Sequence, residues 1–293
     1  MKTSPRLSLN NGVLIDQLGF GLYKVPVAEA SGLVATALGA GYRHFDTAAM
    51  YGNETGVARG ISSLFGYDGG MGTGSGGSGE AAPALAREDV FITTKVWNDD
   101  QGYDSTLLAF DNSMVNLGLD YVDMYLVHWP CARRGLFTDT YRALETLYRE
   151  GKVRAIGVCN FQPAHLDRLL QTAEVVPAVN QIELHPWLQQ AELRELHAEL
   201  GIRTEAWSPL GRGQVLADPV VLACAAEHGV TAAQVILRWH IQLGNIALPK
   251  ASSEARIREN LDVFRFSLSD RDMAALAELD RGHRTGSHPD IVN

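Results

Sequence analysis

Four side chains in this sequence are of types that combine into an acid–base unit: Asp46, Tyr51, Lys95 and His128. Lys95 closes the run FITTK, behind four largely apolar residues, so its ammonium is expected to be partly buried. A buried ammonium needs a carboxylate partner. Asp46, which closes HFD, is the natural candidate. Taken singly, these residues are ordinary. Such an ion pair is more often structural than catalytic, a histidine before Trp129-Pro130 is more often a satisfied core residue, and Tyr51 is a loop tyrosine. Taken together, they are a reactive group. A cation beside a tyrosine favours the phenolate, so the phenol pKa is expected to fall from about 10 toward working pH. A phenol so tuned can protonate a forming alkoxide, and His128 can hydrogen-bond a carbonyl and orient it.

These residues need a scaffold that brings strand ends together. Short β-like runs cover Gly19–Tyr23, His44–Asp46, Val90–Val96, Met124–His128, Ala155–Cys159, Ala178–Ile182, Thr204–Trp207 and Ile246–Pro249. Between them, apolar residues spaced by three and four predict helices at Glu29–Gly39, Glu54–Phe65, Ser105–Leu117, Thr138–Arg149, Pro163–Gln171, Gln189–Glu199 and Ala232–Gln242. Strands alternating with helices pair in parallel through helical crossovers, and eight such units suggest a (β/α)8 barrel of the α/β class. The rival is an open doubly wound sheet. It would usually carry GxGxxG after its first strand, where this chain has Lys24-Val25-Pro26-Val27. Before the first barrel strand, Leu7–Leu9 and Val13–Ile15 flank Asn10-Asn11-Gly12 and predict a β-hairpin. In a parallel barrel the strand C-termini share one face. Asp46, Lys95, His128, Asn160, Gln181, Trp207 and Lys250 all fall at such ends.

The length, 293 residues, suits a single domain spanning 1–293. One stretch interrupts the pattern: Gly66–Gly79 holds eight glycines in fourteen residues. Residues 66–80 are therefore expected to be a flexible insertion, with too little apolar surface to offset ordering entropy. A net charge of −9 argues against nucleic acid or an anionic membrane as partner. Three cysteines, none in a CxxC pair, argue against a structural metal or a disulfide framework. No run approaches a membrane span and the N-terminal segment has no apolar signal core, so a cytoplasmic location is expected.

The segments DTAAMYGNETG (46–56), FITTKVW (91–97), YLVHWP (125–130), GVCNF (157–161), AVNQIELHP (178–186), WSPLG (207–211) and LPKASSEARIREN (248–260) resemble the signatures of the aldo-keto reductases. The resemblance runs from about Leu7 to Asn293, the glycine-rich insertion apart, and is nearest to the bacterial 2,5-diketo-D-gluconate reductases. It implies a tetrad of Asp46, Tyr51, Lys95 and His128, and a C-terminal tail over the active-site face of the barrel. It also implies NADPH, with NADH the lesser alternative, held across the barrel mouth. Cys159, Asn160 and Gln181 would meet the carboxamide. Trp207 would stack on the nicotinamide, with Ser208 and Leu210 along the pyrophosphate. Lys250, Ser253 and Arg256 would hold the 2′-phosphate, and Glu259 and Asn260 the adenine. The sequence itself supports the phosphate group, since Ser252–Asn260 resembles a capped helix start after a strand, and Arg256 offers a planar fork. Two positions depart from the usual pattern: Cys159 stands where Ser is common, and Ala251 where many members have a phosphate-binding Ser.

Substrate walls expected from the family pattern are Tyr23, Trp97, Asn98, Trp129 and Trp187. They suit apolar or sugar-like carbonyls, with keto-sugar acids, diketones, α-keto esters and small aldehydes as candidates. Arg133 and Arg134, in CARRGLF, could attract a carboxylate. The family suggests a monomer. The alternative reading is a non-catalytic NADP(H)-binding regulatory or redox-sensing subunit on the same barrel.

Overall fold

The computed structural model describes residues 4–62 and 85–293, so the glycine-rich segment 66–80 lies outside the described residues. Ten strands occur in order among the described residues. They are β1 (Arg6–Ser8), β2 (Leu14–Asp16), β3 (Phe20–Gly21), β4 (His44–Asp46), β5 (Phe91–Val96), β6 (Val122–Val127), β7 (Val153–Cys159), β8 (Val179–Glu183), β9 (Arg203–Trp207) and β10 (Ile246–Leu248). Strands β3 to β10 pair in chain order, and every pairing is parallel. The two edges meet: Leu18 bridges Ala247, and Gly19 N–H donates to Ala247 O at 2.9 Å. The expected barrel therefore forms and the open sheet is excluded. All six residues of β5, and all six of β6, are buried, as parallel strands covered on both faces require.

Around the sheet lie α1 (Val27–Ala40), α2 (Glu54–Ser62), α3 (Tyr103–Leu117), α4 (Phe137–Arg149), α5 (Pro163–Leu170), α6 (Ala191–Glu199), α7 (Pro219–His228), α8 (Ala232–Gln242), α9 (Glu254–Leu261) and α10 (Asp270–Ala277). Helix α2 is described as far as Ser62, short of the expected Phe65. Gly56 and Gly60 let α2 approach α1, since a Cβ at either would fall within 2.8 Å of α1 atoms. The apolar periodicity did not single out α7 or α10, although each carries a side-chain N-cap, Asp218 and Ser269. No single helix among the described residues is long and apolar enough to cross a membrane.

Strand alternation sorts the interior. Leu9 and Ile15 of the N-terminal hairpin segment pack with Phe91, Met124, Leu126, Ala155, Cys159, Val179 and Ile246 as the barrel's inner core. The same alternation turns His44, Asp46, Thr93, Lys95, Gln181 and Glu205 inward, where all six are buried. The larger core lies between sheet and helices.

Candidate active site

Six non-glycine residues hold positive φ among the described residues: Lys24, Cys131, Asn160, Gln190, Ser208 and Arg212. All lie in segments that follow barrel strands, so local strain collects on the face where the strand C-termini emerge. Tyr51 sits on this face in a short 3-10 turn, Ala49–Tyr51, closed by Gly52 at φ 64°. Asn53 ties the turn down: its Nδ2 donates to Leu22 O and Val25 O, and its Oδ1 accepts from Thr47 Oγ1 at 2.6 Å.

Below Tyr51, Lys95 Nζ donates to Asp46 Oδ1 and Oδ2, each at 2.7 Å, and to Thr47 O at 2.8 Å. Its nitrogen lies 5.2 Å from the centre of the Tyr51 ring. Tyr51 packs between Tyr23, with ring centres 5.1 Å apart, and His128 at 5.7 Å. Trp97 closes the other side of His128 at 5.2 Å. The four expected tetrad residues thus stand together. Sequence reading did not anticipate the next layer. Gln181 Nε2 donates to Asp46 Oδ2 at 2.8 Å and to Glu205 Oε2 at 2.7 Å.

Burial dominates the electrostatics, and here one expectation is corrected. The Tyr51 phenol is pushed above its usual value by burial, and the downward pull of Lys95 only partly offsets this. The phenol thus keeps its proton at neutral pH rather than sharing it. Burial pulls Lys95 down, but Asp46 and then Tyr51 more than reverse this, so the ammonium is held charged. His128 is driven well below the ordinary histidine range by burial and then by the Lys95 charge. Its ring is neutral, and its Nδ1 has no hydrogen-bond partner among the described residues. A neutral imidazole beside a protonated phenol can hold a carbonyl oxygen while the phenol gives up its proton.

From this floor a trough of about 760 Å³ runs out across the barrel mouth. Asp46, Tyr51, His128, Asn160, Gln181, Trp207, Ser208, Leu210, Lys250, Arg256, Glu259 and Asn260 line it, as do Tyr23 and Trp129. Asn160 is fixed at both ends of its amide: Nδ2 donates to His128 O at 3.0 Å, and Oδ1 accepts from Trp207 Nε1 at 2.8 Å. That bond sets the plane of the Trp207 indole. The C-terminal tail presses from the other side, where a Cβ on Gly286 would sit 2.4 Å from the Trp207 ring. The Glu183 carboxylate anchors this tail through Thr285 and Gly286. At the far end, Lys250 and Arg256 are exposed and make no ion pair among the described residues. The trough therefore offers a fixed aromatic face near the phenol and unpaired cations at its other end. A dinucleotide bearing an extra phosphate needs that combination.

Several expected residues lie elsewhere. Cys159 points into the barrel core beneath the tetrad and does not line the trough, because alternation along β7 turns it inward with Ala155. Ser253 caps α9, its hydroxyl accepting from Arg256 N–H, and stands outside the trough lining. Trp97 packs on His128 behind the trough, and Asn98 is buried in a 3-10 turn. Trp187 is corrected most plainly. The turn joining His185 to Leu188 carries it outward, where its Nε1 donates to Asp218 and Arg281 stacks on its ring at 3.7 Å. It packs against the C-terminal tail and does not line the trough. Arg134 is committed to Asn98 O and Asp99, while Arg133 is exposed. Ala251 is buried in the outer core. The trough also includes Lys24, Met50, Arg212, Leu216, Thr231 and Ser287, none of which the strand-end pattern singled out. Arg212, with φ 53° beside Gly213 at φ 86°, carried the one available signal, a charged residue set between glycines.

Comparison with known proteins shows a family and a fold in common. The profile of the Aldo/keto reductase family matches residues 17–281. An aldo-keto reductase of Mycolicibacterium smegmatis is 51% identical over 290 residues, covering 99% of this chain and 98% of its own. Glyoxal reductase of Bacillus subtilis is 47% identical over 285 residues, covering 97% and 96%. Among solved structures, a mutant of Gox0644 in complex with NADPH superposes with a TM-score of 0.90 at 40% identity, over the full length of both chains.

Proposed function

The chain belongs to the aldo/keto reductase family and is an NADP-dependent oxidoreductase, and on that premise we propose that it reduces aldehydes and ketones to alcohols with Tyr51 as proton donor. The observation that carries the reading is the stack of Asp46, Lys95 and Tyr51, with two 2.7 Å bonds below the phenol and the trough above it. NADPH, when bound, would supply the hydride for the carbonyl carbon. Tyr51 would give its proton to the carbonyl oxygen as the C=O π pair moves onto that oxygen, leaving the Tyr51 O–H pair on the phenolate. Lys95 stabilises the phenolate left behind, and Asp46 holds Lys95 in place and in charge. His128, neutral, fixes the carbonyl oxygen next to the phenol. Asn160 and Gln181 would hold the carboxamide, Trp207 would stack on the ring, and Ser208 and Leu210 would follow the pyrophosphate. Lys250 and Arg256 would take the 2′-phosphate, with Ser253 setting the helix start beside it, and Glu259 and Asn260 would meet the adenine.

The open side of the tetrad is lined by Tyr23, Met50 and Trp129, an aromatic and apolar wall that accepts varied carbonyls. This supports activity on small aldehydes, diketones, α-keto esters and keto-sugar acids, the last in keeping with the resemblance to 2,5-diketo-D-gluconate reductases. The enzyme acts as a cytoplasmic monomer. The test is oxidation of NADPH and NADH, followed by absorbance, over a panel of those four carbonyl classes. Turnover with NADPH on at least one class is the expected result. Tight NADPH binding without turnover on any would favour a binding subunit instead.

A further inference from the structure

A second buried carboxylate, Glu205, has no part in the reaction as described. It is wholly buried on β9 and faces into the barrel. Its Oε2 accepts from Gln181, whose other N–H goes to Asp46. Among the described residues its Oε1 has no hydrogen-bond partner, and it lies 3.6 Å from His44 Nε2. The titratable and charged groups around it are His44 and Asp46 from β4, Lys95 from β5 and Cys159 from β7.

The imidazole indicates where a proton belongs. His44 Nδ1 lies 3.3 Å from Asp16 O, a carbonyl that can only accept, so Nδ1 carries the hydrogen. Gly19 makes this ring position available, since a Cβ there would sit 2.5 Å from Nδ1. Burial drives the ring pKa down to about 3, so it is neutral and Nε2 is a lone pair, which the Thr93 hydroxyl approaches only at 3.5 Å. That lone pair repels an ionised Oε1 and attracts a protonated one. Burial, followed by the Asp46 charge, pushes the Glu205 carboxyl up to about 8, in the same direction.

We infer that Glu205 is a positioning residue that works as a neutral carboxyl. Its proton is turned toward His44, and its other oxygen holds the Gln181 amide. Both N–H groups of Gln181 then face carboxyls, so the amide oxygen is left to accept from the nicotinamide carboxamide. Asp46 also remains the single negative charge beside Lys95. The inference rests on the reductase reading of this site. Its consequence is a loss of turnover as pH rises and Glu205 ionises, because a second buried negative charge then competes with Asp46 for Gln181 and Lys95.

The experiment compares wild type, Glu205→Leu and Glu205→Gln. Glu205→Leu strands one Gln181 N–H and is expected to lower kcat/KM about tenfold at neutral pH. Glu205→Gln keeps an acceptor for Gln181 and a donor toward His44. It is expected to restore that loss and to abolish the alkaline fall in kcat expected of wild type. An infrared difference spectrum of wild type against Glu205→Gln should contain a protonated carboxyl band at pH 7 that fades as pH is raised. Absence of that band, an alkaline limb unchanged in Glu205→Gln, or a Gln variant as impaired as the Leu variant would overturn the inference. If wild type reduces no carbonyl, the reductase reading falls instead. The infrared band and the NADPH affinities of the three proteins, read by tryptophan quenching, then still decide the role of Glu205.

Discussion

The two ends of the trough are built in opposite ways. At the tetrad end every charge is already answered: Lys95 is buried and bonded to Asp46 and Thr47 O, and Asp46 also accepts from Gln181. At the phosphate end Lys250 and Arg256 stand exposed without ion-pair partners among the described residues. The tetrad end is preorganised by the fold itself, while the other end leaves its cations open to a ligand. Groups that must stabilise charge developing in a transition state work best when they need no rearrangement at that moment. Groups that only recognise a phosphate can wait in water, where two like charges cost little.

This contrast predicts different consequences for damage at each end. Tyr51→Phe should lower kcat by about 10²–10⁴-fold while leaving NADPH affinity and melting temperature near wild type. A large change in affinity would show that the two ends are not separate. Lys95→Met leaves Asp46 buried without its cation. It should lower folding stability by about 3–5 kcal/mol in a denaturant titration, besides abolishing turnover. Arg256→Ala should leave the melting temperature of the unliganded protein unchanged, raise the NADPH dissociation constant about 10–100-fold, and leave NADH binding intact. Gly286→Ala pushes on Trp207 and should weaken NADPH about three- to tenfold, a strain effect of the size seen when packed sites gain a methyl. Acid pH acts on three further buried groups together. Burial lowers His44 and His240 to about 3 and His197 to about 4. A histidine whose folded pKa is depressed contributes stability above its unfolded value near 6.5, and that stability is lost as pH falls toward the folded value. The melting temperature should therefore decline gradually from about pH 6.5 to 3, with no step above pH 7 from these three groups.

Three of the tetrad were legible in the sequence because strand ends advertise themselves: Asp46 after HF, Lys95 after FITT and His128 after MYLV converge once eight strands are counted, whereas Tyr51 stands in a turn and gains meaning only from them. The barrel was legible for the same reason, and the strand bounds shift by two residues or fewer. Side-chain direction in the loops was not legible. Trp187 has the composition of a pocket wall, yet the tight turn at His185 sends it outward to the tail. Cys159 stands beside Asn160 in sequence, but β7 alternation turns it into the core. Glu205 lies two residues before Trp207 and was passed over, because one carboxylate in TEAW gives no sign that Asp46 shares its Gln181 partner. The direction of the Tyr51 shift was also hidden. The cation beside it can be read from the sequence, whereas the burial that outweighs that cation depends on packing by Tyr23 and His128.

The most direct test measures single-turnover oxidation of NADPH by wild type and Tyr51→Phe, with a small aldehyde or an α-keto ester, beside the NADPH dissociation constant of each. A loss of at least about 10²-fold in the rate, with the two dissociation constants alike, is the predicted result. A Tyr51→Phe rate close to that of wild type would contradict the assignment of the phenol as proton donor.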